Sequence, residues 1–211
     1  TAIECSYLGA KLFVTARNEE RLRETFDALE GDGHAMVIAD VAKSEEMDSL
    51  VGSVSALDGF VCNAGITKRR PIHFIKEDEL REVFEINTKA LAKAKKFNKG
   101  ASIVFTSSKA ARIVTPGNSM YAASKAAIES FARSCALEFA AKGIRSNAIL
   151  PGMVETPLVL NGTLSEEDLE RDKAKYLLKR YGRPEEIAWA IIYLLSDASA
   201  WVTSTSVEIS G

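Results

Sequence analysis

The strongest constraint on the fold is a hydrophobic period that keeps switching along the chain. Short apolar runs with strand character alternate with stretches whose apolar residues recur at helical spacing. Strands are expected at 11–16, 34–39, 57–62, 102–105, 145–150 and 206–209. Helices are expected at 1–8, 18–29, 77–97, 121–142 and 185–195, with a short one capped by Ser44 and another opened by the Ser165-x-x-Asp168 capping box. The punctuation agrees with the pattern. Gly9 can end the first helix in the left-handed region, Asn18 can cap the second, Gly31-Asp32-Gly33 breaks it, and Pro184 suits a first helical position. Such alternation is the signature of βαβ units, so an α/β fold is expected: a doubly wound parallel sheet with helices on both faces, in a single domain. No internal repeat, low-complexity segment or linker interrupts it.

In sheets of this kind ligands lie beyond the carboxyl ends of the strands. That rule selects Arg17, Asp40, Asn63-Ala64-Gly65, Ser107-Ser108 and the stretch from Pro151 to Thr156. Composition narrows the chemistry. With 27 basic and 29 acidic residues, the formal charge of −2 gives no electrostatic footprint for nucleic acid. Three scattered cysteines without a Cys-x-x-Cys pair fit neither a disulfide framework nor a zinc site and suit a reducing cytoplasm. No apolar run reaches the ~20 residues of a membrane span, and the first residues do not read as a signal peptide. His34 and His73 read as ordinary strand or loop residues, and no acidic or thiol cluster stands at metal-ligand spacing.

Tyr121-Ala-Ala-Ser-Lys125 places a phenol and an ammonium four residues apart, hence on one helical face. Alone this is a common surface pattern. Here Ser108 stands thirteen residues upstream at a strand end, Asn87 closes Glu85-Ile86-Asn87, and Asn63-Ala64-Gly65 and Pro151-Gly152 terminate two more strands. A phenol can protonate a developing alkoxide, but its ordinary pKa of about 10 makes it a poor base near neutral pH unless a cation favours the phenolate. Tyr121 is thus the candidate acid/base and Lys125 its tuner.

With Ile144-Arg145-Ser146-Asn147-Ala148 and Val202-Thr203-Ser204-Thr205 added, the motifs resemble those of the classical short-chain dehydrogenases/reductases, especially the branch of 3-oxoacyl-[acyl-carrier-protein] reductases. The resemblance runs through nearly the whole chain. It implies a Rossmann fold and a nicotinamide cofactor. It further implies that Lys125 holds the nicotinamide ribose, Ser108 orients the substrate oxygen and Asn87 positions a relay water. Asp40 and Val41 would contact the adenine, Asn63, Ala64 and Gly65 would line the adenosine ribose, and Pro151, Gly152, Val154 and Thr156 would lie at the nicotinamide end. Relatives of this kind often form tetramers through the long helices, so a homo-oligomer is expected.

The residues after the first expected strand choose between cofactors. Ala16 stands where an acid would bind a 2′-hydroxyl, and Arg17 follows, a fork of donors suited to a 2′-phosphate, so NADP(H) is expected. The alternatives are that Arg17 pairs with Glu19 or Glu20 and that Asp40 merely caps a turn. Substrates in view are a 3-oxoacyl thioester, free or on a carrier protein, or another alcohol, sugar or steroid; a sensor that binds NADP(H) without chemistry is the non-enzymatic alternative. Lys68-Arg69-Arg70 is either a dock for an acidic carrier or a solvated loop. Asn161-Gly162-Thr163 matches a glycosylation sequon that a cytoplasmic protein would not use.

Three departures from the family pattern stand out. Its glycine-rich turn is absent and Thr1 falls within the helix after it, so the opening strand and turn are expected to precede Thr1. The twenty-one residues from Asn87 to Ser108 are short for a helix and a return strand, so residues are expected to be missing after Lys89 or Ala90. Cys62 replaces a usual Asn, and Ser204 and Ser210 replace a usual Gly and Asp.

Overall fold

The computed structural model describes residues 1–88, 96–156, 159 and 165–211. In chain order the elements are α1 (Ala2–Tyr7), β1 (Phe13–Ala16), α2 (Glu19–Asp27), β2 (Ala35–Ile38), α3 (Ser44–Ser53), β3 (Leu57–Cys62), α4 (Glu77–Thr88), β4 (Phe97–Thr106), α5 (Ser119–Glu138), β5 (Arg145–Pro151), α6 (Glu166–Lys173), α7 (Pro184–Leu195) and β6 (Ser206–Ile209). All strand pairs are parallel. They form a two-stranded sheet, β1-β2, and a four-stranded sheet in the order β3-β4-β5-β6, so the described strands do not join into one continuous sheet.

The period-2 alternation of β4 and β5 explains the layering. Ile103, Phe105, Ala148 and Leu150 face one side, where they meet Met47 and Leu50 of α3 and Ile128 and Ala132 of α5. Val104 and Ile149 face the other, against Ile191 and Leu194 of α7. Gly59 lets α7 approach closely, because a Cβ there would lie 3.2 Å from Leu195 Cδ2. Arg145 ties the same faces together, donating to the Leu194 carbonyl and the Ser199 hydroxyl, each at 2.8 Å.

Most caps follow the sequence. Asn18 Oδ1 accepts from Arg21 N–H at 2.9 Å, Ser165 Oγ from Asp168 N–H at 3.1 Å, and Pro184 opens α7. Gly9 has φ +80. Two expectations are corrected. Ser44 is the first residue of α3, and Lys43, with no side-chain cap bond, occupies the cap position. Phe97 belongs to β4, not to a helix: it pairs with Leu57 and its ring packs 6.1 Å from Phe60 and 6.3 Å from Phe139. Helical periodicity there was continued by a large apolar residue whose burial is met by a sheet instead. Residues 89–95, where missing residues were expected, and the Asn161-Gly162-Thr163 sequon lie outside the described residues.

Candidate active site

The carboxyl ends of β3, β4 and β5 bring the expected residues together. Ser107 follows β4 and ties its end to β5 and to α5, its N–H donating to the Ile149 carbonyl at 2.9 Å and its buried hydroxyl to the Lys125 carbonyl at 2.7 Å. Ser108 is extended and starts a 3₁₀ turn by accepting from Ala110 N–H. The Tyr121 phenol stands close enough to the Ser108 hydroxyl for its acidity to feel it. Burial pushes that phenol above its ordinary pKa, and Ser108 pulls the other way. Tyr121 is therefore protonated at neutral pH, the form that can donate.

Lys125 lies one turn along α5, almost fully buried, its Nζ 5.7 Å from the centre of the Tyr121 ring. It donates to the Thr106 carbonyl at 2.8 Å. Burial lowers its pKa to about 8, because no carboxylate offsets the loss of water. Burial and Ser108 set the direction of the Tyr121 shift, and the Lys125 ammonium rests on a backbone carbonyl.

Asn87, fully buried, uses its whole amide. Its Oδ1 accepts from Ile66 N–H at 2.8 Å, and its Nδ2 donates to the Ser124 hydroxyl at 2.8 Å and the Ile66 carbonyl at 3.2 Å. Ser124 in turn donates to the Tyr121 carbonyl at 2.7 Å. One chain of bonds thus fixes the loop after β3 to the helix that carries Tyr121 and Lys125. Gly65 sits where the two elements meet: a Cβ there would come within 3.2 Å of both Asn87 Oδ1 and Lys125 Nζ. Cys62 is buried directly below, its thiol pushed up to about 11.

The residues expected at the nicotinamide end follow β5. Gly152 donates to the Ile209 carbonyl at 2.9 Å and is pressed against Ser210, which a Cβ would meet at 3.1 Å. Val154 bridges to Gly182, and Thr156 turns back onto the Val154 carbonyl. Where the adenosine is expected, Arg17, Asn18, Ile38, Asp40, Lys43 and Glu46 line an open groove beyond β1 and β2. Glu19 pairs with Arg23, and among the described residues no carboxylate pairs with Arg17. Asp40 does cap its turn, Oδ1 accepting from Ala42 N–H at 2.9 Å.

These features fit a dinucleotide: a glycine cradle against a buried cation at one end and, at the other, a guanidinium in a groove that no described carboxylate pairs. Comparison with known proteins agrees. Residues 1–211 match the family model described as enoyl-(acyl carrier protein) reductase. The chain is 31% identical over 211 residues to the 3-oxoacyl-[acyl-carrier-protein] reductase FabG of Rickettsia prowazekii (strain Madrid E), covering 97% of this chain and 86% of the relative. It belongs to the short-chain dehydrogenase/reductase family. A glucose 1-dehydrogenase of Gluconobacter oxydans (strain 621H) is 29% identical, covering 100% of this chain and 85% of that protein. A solved short chain dehydrogenase/reductase family protein superposes with a TM-score of 0.88 at 31% identity, covering 99% and 88% of the two chains. Another family member, from Francisella tularensis subsp. tularensis SCHU S4, gives 0.82 at 26% identity, covering 96% and 97%.

As a short-chain dehydrogenase/reductase the chain is an oxidoreductase, and such enzymes use nicotinamide cofactors. Sequence reading missed three supporting roles: the Thr106 carbonyl that holds Lys125, the Ser124 hydroxyl that links Asn87 to Tyr121, and the Ser107 hydroxyl that ties α5 to β4. The signals were the position of Ser124 inside the Tyr121–Lys125 motif and that of Ser107 just after a strand. Among the described residues no group of His, Cys, Asp and Glu forms a metal site, and no helix is long and apolar enough to cross a membrane.

Proposed function

We propose that this chain is an NADP(H)-dependent carbonyl reductase whose substrate class is a 3-oxoacyl thioester. The observation that carries the chemistry is the Ser108–Tyr121 hydroxyl pair with Lys125 buried one turn behind it. When bound, the nicotinamide cofactor supplies a hydride for the carbonyl carbon. Tyr121 gives its phenolic proton to the carbonyl oxygen, and Ser108 donates a hydrogen bond to that oxygen as negative charge grows. Burial keeps Tyr121 protonated, which suits reduction. Lys125 holds the nicotinamide ribose and keeps positive charge on that side of the site. Asn87 positions the Gly65-Ile66 loop, so its part in proton relay would act from the same clamp.

Asp40 and Val41 would hold the adenine, Asn63, Ala64 and Gly65 the adenosine ribose, and Pro151, Gly152, Val154 and Thr156 the nicotinamide end. Arg17, which no carboxylate pairs among the described residues, supports NADP(H) over NAD(H). The thioester rests on the Rickettsia relative's name; the Gluconobacter relative makes a sugar the second reading. The basic loop lends carrier docking little support, because Lys68 is paired with Glu82 and Arg70 with Glu79. Exposed Phe131 and Leu137 on α5 are apolar positions that a homo-oligomer would cover. The test is oxidation of NADPH and NADH with acetoacetyl thioesters, diketones, sugars and steroids, by wild type and Tyr121→Phe. Thioester-dependent NADPH oxidation that Tyr121→Phe abolishes, with NADPH binding retained, is expected. Tight NADPH binding without turnover of any carbonyl would replace the reading with that of a sensor.

A further inference from the structure

The adenosine groove holds a second cation besides Arg17. Lys43 Nζ pairs with Glu46 Oε1 at 2.8 Å, while Glu46 Oε2 accepts the Asp40 N–H at 2.7 Å. These two bonds hold the Glu46 carboxyl below its usual range, and the same partner raises Lys43. The two halves of the pair are anchored unequally. Glu46 is fixed to the backbone of the β2–α3 turn, whereas Lys43 is exposed and attached to the groove by this contact. An exposed lysine–carboxylate pair of this kind is weak and screened by salt, so it opens easily.

We propose that Lys43 is a second ligand for the 2′-phosphate of NADP(H), released from Glu46 when the phosphate enters beside Arg17. The proposal rests on the NADP(H) reading above and adds a specificity residue to it. A phosphate monoester carries about −1.5 to −2 charges at neutral pH and three acceptor oxygens. It therefore outbids a single carboxylate for the ammonium. A 2′-hydroxyl offers no such charge and leaves the Lys43–Glu46 pair closed. Glu46 remains seated on Asp40 in either case, so the turn next to the groove keeps its shape while the lysine moves. Arg17 reaches the groove from the end of β1 and Lys43 from the turn after β2, so two loops contribute one cation each.

The experiment compares dissociation constants of adenosine 2′,5′-bisphosphate and adenosine 5′-phosphate by calorimetry, for wild type, Lys43→Ala, Glu46→Gln and Arg17→Ala. Lys43→Ala should weaken the bisphosphate about fivefold to tenfold and change the monophosphate by less than about twofold. Glu46→Gln keeps an acceptor for the Asp40 N–H but frees the lysine, and should tighten the bisphosphate about twofold to threefold. Equal effects of Lys43→Ala on both probes, or none, with Arg17→Ala still selective for the bisphosphate, would overturn the role of Lys43 and leave the NADP(H) reading standing. If wild type binds both probes alike and Arg17→Ala changes neither, both fall together.

Discussion

Lys125 is a buried ammonium whose charge the fold tolerates for function, and Lys125→Met should expose that cost. Moving a lysine from its ordinary ~10.4 to about 8 works against its ionised form by ~3 kcal/mol at neutral pH. The unfolded chain binds the proton more tightly than the folded one, so folded stability rises with pH through the window from about 8 to about 10.4. Between pH 7 and pH 10 the penalty shrinks by ~2–3 kcal/mol, since the folded lysine is already neutral at the upper limit. Methionine keeps the apolar stem and removes the charge, but it leaves the Thr106 carbonyl without its donor, a loss of ~1–2 kcal/mol. The net expectation at pH 7 is a variant ~1–2 kcal/mol more stable than wild type, melting ~2–8 °C higher. At pH 10 the order should reverse, and the variant should be inactive throughout. Thermal and urea melts of both proteins at the two pH values measure this. A stability difference that does not change with pH would refute the claim that Lys125 is held charged against desolvation.

Two further substitutions probe the frame around the site. Gly65→Ala forces a methyl to within 3.2 Å of Asn87 Oδ1 and Lys125 Nζ, so cofactor affinity should fall by about tenfold while the melting temperature moves little; calorimetric titration with NADPH checks it. Ser204 has φ +61, a left-handed conformation costing a side chain ~1–2 kcal/mol. Ser204→Gly should therefore stabilise the protein by ~0.5–1 kcal/mol after glycine's greater chain entropy is counted, seen as an upward shift in the urea midpoint.

The parts of the fold set by neighbours along the chain were legible. β3 and β6 lie at 57–62 and 206–209 as the alternation indicates, and the Asn18 and Ser165 caps form where a side-chain acceptor precedes a helix. Phe97 was misread because periodicity measures only that a residue is apolar, and a half-buried phenylalanine packed between Phe60 and Phe139 satisfies the same pattern. Ser44 was misread as a cap because cap and first-turn positions differ by one residue, and the extended backbone of Lys43 decides between them.

The site divides along the same line. Spacing alone puts Tyr121 and Lys125 on one helical face and places Ser108 and Gly65 after strands, because those relations are local or follow from the direction of parallel strands. Which partner each side chain chooses is a matter of three dimensions. Ser108 meets the Tyr121 phenol, Lys125 finds the Thr106 carbonyl, Asn87 clamps Ile66 and Ser124, and Glu46 holds both Asp40 and Lys43. The pKa directions of Tyr121 and Lys125 likewise depend on the water that packing removes, and a sequence carries no measure of that. Residue types and their order therefore determined what chemistry was available, and the tertiary structure decided how each group is charged and held, because desolvation and hydrogen-bond geometry arise only when distant segments meet.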